Sequence, residues 1–393
     1  MEQVNWTKLG NVCTFINGDR GVNYPKVEEL VEQGIPFINA GHLQGNKIDM
    51  SNMNFITEKK YDVLSTGKAT KGDVLYCLRG SLGKHAVVEF EKGAIASSLV
   101  ILRPNHEKIN PRYLLHVLDS KGIEVQMLRA NNGSSQPNLS ATSVKEFIIP
   151  LPSLHIQNSI VSILDKSEQL IDFRKKQIEA CDELIKSQFI EMFGEYFRNN
   201  INTHQLKEIC NFIDYRGKTP EKSDTGIPLI TAKNVKSNAF SVEPQEFIPE
   251  ENYDAVMVRG FPRINDVLFT TEAPLGNVCR IPDVYEKFCV GQRLITIQPN
   301  EDILTSEYVE RALLSKEFQS EMWKRSSGST VKGIRSKELV LLTIPVPPIE
   351  QQKQFTRFVQ QVDKLKFKME QSLVELENNF NSLMQRAFKG ELF

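Results

Sequence analysis

From Ile160 onward the apolar positions return at Leu164, Ile171, Ile178, Ile185 and Met192, with Ile163, Leu170 and Leu184 beside them. Apolar residues recurring every three or four positions mark one face of a helix, and a sustained spacing of seven marks a seam between helices. Phe358, Val362, Leu365, Met369, Leu376, Phe380 and Leu383 keep the same rhythm near the C-terminus, broken only around Ser372. The pattern predicts two long coiled-coil-like helices. The segments ahead of them have a different period, with short β-branched and aromatic runs such as DVLYCL, AVVEF and SSLVILRP separated by Gly, Asn and Pro. Those runs predict strand-rich α+β parts, with a short helix after Pro111.

The same signals occur twice, in the same order. LGNVCTFI at Leu9 is echoed by LKEICNFI at Leu206, and GIPFINA at Gly34 by GIPLITA at Gly226. KGDVLYCLRGSLGK around Asp73 matches INDVLFTTEAPLGN around Asp266, and Tyr113 matches Tyr308. GSSQPNLSATSVKEFIIPLP from Gly133 aligns without a gap on GSTVKGIRSKELVLLTIPVP from Gly328. The predicted organisation is a tandem duplication: globular parts at residues 1–150 and 201–345, and helices at 151–200 and 346–393. Each globular part ends in a Pro-x-Pro step. Proline disfavours the α region before it, donates no amide and tolerates a first helical turn, so this step ends a strand and launches a helix at a set angle.

Antiparallel pairing of the helices would put the globular parts at opposite ends of a bar. About 35 residues per helix at roughly 1.5 Å each give ~50 Å, near one and a half turns of B-DNA. With 40% hydrophobic and 25% charged residues, no apolar run long enough to cross a membrane and no apolar N-terminal signal region, the composition leads us to expect a cytoplasmic protein. The formal net charge of −1 gives no bulk sign of nucleic-acid binding, so any such role must rest on local patches or on partner subunits.

The layout resembles the DNA-specificity (S) subunit of type I restriction-modification systems over essentially the whole chain. The residues that carry the likeness are GDVLYCLRGSLGK, GSSQPNLSATSVKEFIIPLP, and IPVPPIEQQ followed by heptads and a terminal QRAFKGELF. The resemblance implies two target-recognition domains reading a bipartite double-stranded DNA target and two helices acting as spacer and docking surface. It also implies two modification (methyltransferase) subunits and ATP-dependent restriction subunits as partners. S-adenosylmethionine, ATP and Mg are then expected on those partners, and no cofactor in this chain. The alternative is a duplicated protein-protein scaffold of a defence complex that does not bind DNA.

Motifs for catalysis are missing. GKT at Gly217 lacks the glycine of a phosphate loop, since Phe212 stands there, and no GxGxxG, HExxH or GxSxG is present. The six cysteines form no CxxC pair and the six histidines no i, i+4 pair, so no metal is assigned.

Base edges and phosphates call for Arg, Lys, Asn, Gln, Ser or Thr on loops where glycine lets the backbone approach. The candidates in copy one are Arg20, His42, Arg79, Ser81 and Lys84, with Ser134, Gln136 and Asn138 in the polar loop before the prolines. In copy two they are Tyr215, Arg216, Lys218, Lys233 and Asn234, with Ser329, Lys332 and Arg335 in the matching polar loop. The LRGSLGK loop becomes TTEAPLGN in copy two, with Glu272 in place of the arginine, which points to two different half-sites. On the helices, Phe189, Phe193, Phe197 and Phe388 read as an apolar stripe with little left to cover it, and so as a docking surface for the modification subunits.

Overall fold

Both heptad runs form helices, Leu154–Arg198 of 45 residues and Ile349–Lys389 of 41, in a computed structural model that describes residues 5–131, 137–215 and 220–392. Both are longer than the periodicity marked, because each begins within two residues of the last proline of its junction. The chain divides into two units, residues 1–175 with 371–393, and residues 176–370. Each unit therefore holds one globular part, the N-terminal part of one long helix and the C-terminal part of the other.

In the first unit an antiparallel sheet has the order Cys13–Asn17, Leu99–Pro104, Val74–Cys77, His85–Val87. It lies beside a mixed sheet of order Asn54–Ile56, Ile35–Ile38, Gly93–Ile95, Lys68–Ala69, in which the middle two strands run parallel. In the second unit Cys210–Asp214, Leu294–Pro299, Val267–Thr270 and Val278–Arg280 repeat the first sheet, and Phe247–Ile248, Ile227–Ile230 and Cys289–Val290 repeat three strands of the second. Central strands such as Val74–Cys77 and Val267–Thr270 are buried on both faces, which explains their unbroken apolar runs.

The helices are part of these cores. In the first unit Ile160 and Leu164 of one helix and Met384, Ala387 and Phe388 of the other join a cluster with Val74, Val100 and Tyr113. The Glu377 carboxylate meets Lys175 at 3.0 Å, so the two helical segments run antiparallel. In the second unit Ile185, Phe189 and Phe193 pack with Phe355, Val359 and Tyr308, and Lys366 meets Asp182 at 2.7 Å.

At each junction a strand from the start of the copy closes against the pre-proline strand: Asn5–Lys8 against Ile148–Leu151, and Thr203–Gln205 against Thr343–Pro345. One turn into each long helix stands a fully buried glutamine. The Gln157 amide oxygen accepts the Asn110 N–H at 2.8 Å, and its nitrogen donates to the carbonyls of Lys108 and Pro152, both at 2.9 Å. Gln352 repeats this with the Thr305 N–H at 3.0 Å and the carbonyls of Ile303 and Pro347 at 2.9 and 2.8 Å. The Tyr113 and Tyr308 hydroxyls donate to Pro150 and Pro345, the first proline of each junction. Asn110 and Thr305 are in turn the N-caps of the short helices Pro111–Leu118 and Ser306–Leu314. Each glutamine thus ties the entry to the long helix to the start of a helix in its globular part.

In both units an arginine from the globular part tethers an acid on the long helix, and the element that supplies the arginine differs. In the first unit Arg112 and His116 reach Asp165 on the long helix at 2.9 and 2.8 Å. His116, Asp165 and Glu168 lie close enough to suggest a metal cluster, but the Arg112 guanidinium already neutralises Asp165, so the group reads as an ion-pair tether. In the second unit Arg280 supplies the cation, to Glu307, Glu310 and, on the long helix, Asp363 at 2.9 Å.

His85 lies under the 78–84 turn, stacked on Tyr76, with Nδ1–H donating to the Gly83 carbonyl at 2.8 Å and Nε2 3.4 Å from the Asp119 carboxylate. Burial opposes charge on the ring, but Asp119 and the Gly83 carbonyl outweigh it and hold His85 above its ordinary value. Asp119, lifted by burial, is brought below the usual carboxylate range by His85 and by Asn46.

Replacing Gln157 or Gln352 by Ala strands a buried amide N–H and two carbonyls. Each variant is expected to lose about 2–4 kcal/mol in urea unfolding, against about 1 kcal/mol for Tyr113→Phe or Tyr308→Phe. Because the folded His85 titrates above its unfolded value of about 6.5, its stabilisation is complete below that pH and is lost as pH rises through the folded value. Between about pH 6 and about pH 8 the urea midpoint of the wild type is expected to fall more than that of His85→Gln.

Candidate nucleic-acid interface

Strands Val74–Cys77 and His85–Val87 are joined by the LRGSLGK turn, closed by Cys77 N–H to the Lys84 carbonyl at 2.8 Å and Gly83 N–H to the Cys77 carbonyl at 3.2 Å. Gly80 and Gly83 have φ of +80° and +78°, which a side chain disfavours, and a Cβ on Gly83 would stand 2.6 Å from Met127 Sδ. The turn is thus fixed in shape while Arg79, Ser81 and Lys84 stay exposed.

Two other segments are stitched to its edge. Leu78 N–H donates to the Ser98 carbonyl at 2.9 Å, and Leu139 N–H to the Leu78 carbonyl at 2.8 Å, so Arg79 and Asn138 face each other in an antiparallel bridge. Arg20 joins from a fourth segment, donating to the Ser97 carbonyl at 3.3 Å. Its neighbour Asp19 is buried, holding the Gly21 N–H and Ser65, and the Gly21 bond is the main reason its carboxyl lies below the usual range. Arg20, Arg79 and Asn138 are thereby brought to one exposed face.

The second unit repeats the stitching bond for bond. Thr271 N–H donates to the Arg293 carbonyl at 3.1 Å, Ile334 N–H to the Thr271 carbonyl at 3.0 Å, and Glu272 bridges Gly333. Gly276, at φ +85°, takes the place of Gly83. These bonds align Arg79 with Glu272 and Ser98 with Arg293. The cation has moved to the neighbouring segment, where the Arg293 guanidinium meets the Glu272 carboxylate at 3.3 Å. Glu272, Gln292, Arg293, Ser327 and Arg335 line an open groove there.

Of the residues singled out from the sequence, Arg20, Arg79, Ser81, Lys84, Asn138, Lys233, Ser329, Lys332 and Arg335 are exposed. Ser134, Gln136, Arg216 and Lys218 lie outside the described residues. Three serve the scaffold. His42 is buried, its Nδ1 accepting the Asn39 N–H at 3.1 Å and its Nε2–H donating to the Asn52 carbonyl at 3.2 Å. Asn234 is buried, accepting the Thr231 N–H at 2.9 Å and donating to the carbonyls of Ser241 and Pro244. Tyr215 is buried, its hydroxyl donating to the Gly260 carbonyl. Lys233 pairs with Glu246 at 2.9 Å.

The phenylalanine stripe is also corrected. Phe189, Phe193 and Phe388 are only 5, 0 and 7% exposed, and Phe197 is half-buried. Phe193 meets Tyr308 and Phe355 at ring distances of 5.0 and 5.5 Å, and Phe388 meets Tyr113 at 5.6 Å. The globular core of each unit covers them, a partner that helix periodicity does not count. Sequence reasoning also passed over Gln292 and Arg293, hidden at the start of an apolar strand run. The signal was present in the aligned blocks ASSLVIL and GQRLITI, where Leu99, Val100 and Leu102 correspond to Leu294, Ile295 and Ile297 while Ser97 and Ser98 become Gln292 and Arg293.

A family model for the type I restriction modification DNA specificity domain matches residues 1–181 and 199–378, one match to each copy. The EcoKI specificity subunit of Escherichia coli is 24% identical over 422 residues, covering 98% of this chain and 88% of its own length. The MjaVIII specificity subunit of Methanocaldococcus jannaschii is 21% identical over 411 residues, covering 98% and 92%. A solved chain described under complex assembly and conformational transition of the type I R-M system shares the fold, with a TM-score of 0.63, 19% identity, and coverage of 100% of this chain and 99% of its own. The type I system S subunit from M. genitalium does so at a TM-score of 0.55, with 16% identity and coverage of 99% and 97%. With a specificity-domain match on each of its two copies, the chain belongs to the DNA specificity subunits of type I restriction-modification systems.

Proposed function

We propose that each copy reads one half of a bipartite, asymmetric double-stranded DNA target, and that the chain docks modification subunits and, through them, restriction subunits. As a specificity subunit it directs catalysis and does not perform it. S-adenosylmethionine, ATP and Mg belong in this reading to the partners, and the setting is cytoplasmic. Among the described residues no helix is long and apolar enough to cross a membrane.

The observation that carries the reading is the doubled stitching beneath dissimilar side chains. Identical backbone bonds present Arg79 and Asn138 in one copy and Glu272, Gln292 and Arg293 in the other. Exposed arginine suits phosphate or the O6 and N7 of guanine. A carboxylate beside Arg293 repels phosphate and suits the amino group of cytosine, which favours a base edge for that pair.

Docking is assigned to apolar side chains that the long helices leave uncovered. These include Leu170, Phe173 and Val374 in the first unit and Leu184, Leu365 and Phe367 in the second, all about half exposed or more. They replace the buried phenylalanines as the candidates for partner contact.

Mapping methylated adenines in cells that carry this chain with its modification subunit is expected to return one motif with two unlike half-sites. A palindrome would contradict the asymmetry. Arg79→Ala and Arg293→Ala are each expected to cost about 1–3 kcal/mol of discrimination, at opposite half-sites. Loss at the same half-site would break the assignment, and wild-type binding without sequence preference over random competitor would favour a scaffold. Phe173→Asp and Phe367→Asp should weaken co-purification of the modification subunit with a thermal midpoint near wild type; unchanged association would remove these residues from the docking surface.

A further inference from the structure

Between the short helix Tyr253–Val256 and strand Val267–Thr270 the chain runs MVRGFPRIN, residues 257–265. Val258, Phe261 and Ile264 are 61, 58 and 42% exposed, one apolar tip every third residue. Arg259 and Arg263 are exposed between them, and no acid interrupts the stretch. Asp266, which ends it, is buried and turned inward to the Arg263 N–H at 2.7 Å and to Gln298 at 2.6 Å. The presented surface is therefore apolar and cationic.

The loop is built into a fixed shape. Arg259 donates to the Asp214 carbonyl at 2.6 Å, and the buried Tyr215 hydroxyl donates to the Gly260 carbonyl. Gly260 has φ +128°, and a Cβ there would stand 3.2 Å from Ile213. The Phe261 ring leans on Tyr253 with centroids 6.2 Å apart. Asp214 also accepts from the Ser336 hydroxyl at 2.7 Å, which joins the loop to the segment carrying Lys332 and Arg335. It is thus continuous with the candidate interface of the second unit.

The matching connection in copy one, LSTGKATKG at residues 64–72, exposes no large apolar side chain: Leu64 and Ala69 are buried. The apolar tips are therefore a property of copy two and not a requirement of the fold. Arg263, exposed with no acid inside the loop, together with continuity with the proposed reading segment, favours a polyanion over a protein surface as the occupant. Apolar wedges flanked by arginine are suited to a duplex, where they enter a base step from the minor groove while the cations meet phosphates.

We infer that this loop is a second DNA contact of the second unit, in which Phe261 and Pro262 wedge against a base step at the border of its half-site and Arg263 meets a flanking phosphate. This rests on the DNA-reading function proposed above. The test uses the chain assembled with its modification subunit, on target duplexes carrying 2-aminopurine at successive steps in and beside each half-site. Wild type is expected to raise fluorescence at a step bordering one half-site. Phe261→Ala should abolish that signal and weaken target binding about tenfold, Phe261→Trp should restore most of the affinity, and Arg263→Gln should reduce the salt slope by about one contact. Unchanged affinity and signal in Phe261→Ala, while the wild type still prefers its target, would overturn this inference alone. Loss of the modification subunit from Phe261→Ala without DNA would make the loop a protein contact and overturn it as well. A wild type with no sequence preference would overturn both this inference and the reading beneath it.

Discussion

Gln157 and Gln352 hold a position that few side chains could fill. A primary amide carries an acceptor and two donor hydrogens at one end, and each junction supplies one N–H and two carbonyls within reach. Proline at the junction makes this necessary, because it removes amide donors and leaves nearby carbonyls to find partners elsewhere. The buried amide supplies them, and couples the exit from the globular part to the first turn of the long helix. Rotation at that joint would break three hydrogen bonds in a site closed to water. The direction of each helix relative to its globular part is therefore fixed by bonding as well as by apolar packing.

The duplication separates what the fold must keep from what it is free to change. Backbone bonds around the reading turn, the positive-φ glycine, the junction tyrosine and the glutamine recur in both copies. The tethers keep an acid on the long helix, Asp165 in copy one and Asp363 in copy two, but take their arginine from different elements: Arg112 from the short helix of copy one, and Arg280 from a strand of copy two, where the short helix carries Glu307 and Glu310. An ion pair across a part-buried contact is sensitive to losing one member, so the arginine can change its element only where the acid on the long helix remains covered. Side chains on the exposed face carry no such constraint, and there the copies share least.

Long-range order was legible in the sequence because period and repetition are properties of the chain alone. Heptads gave the helices, and the recurrence of the same blocks in the same order gave the duplication. Burial was not legible, since it depends on what approaches from elsewhere. Phe189, Phe193 and Phe388 look uncovered to a reading that counts only the helices, and are covered by the globular cores. His42, Tyr215 and Asn234 fail for the complementary reason. A polar side chain in a glycine-rich loop can face solvent or satisfy its own backbone, and composition does not separate the two. Arg293 was masked by the strand that follows it, Leu294–Pro299, whose apolar pattern draws attention away from the polar pair in front of it.

A net charge of −1 looks poor for a DNA reader, yet it follows from how specificity is obtained. A strongly basic chain gains affinity for every sequence through counterion release, and that term carries no information about bases. Here the exposed cations of the proposed reading face are individually placed, and at Glu272 and Arg293 one is set against its own counter-ion. Approach of a phosphate to that pair meets repulsion from the carboxylate, whereas a base edge offering both acceptor and donor can satisfy both groups. A weak general attraction leaves discrimination to those local contacts. The same economy makes the fixed joint at Gln157 and Gln352 necessary, because a few well-placed groups read a groove only when the scaffold beneath them does not move.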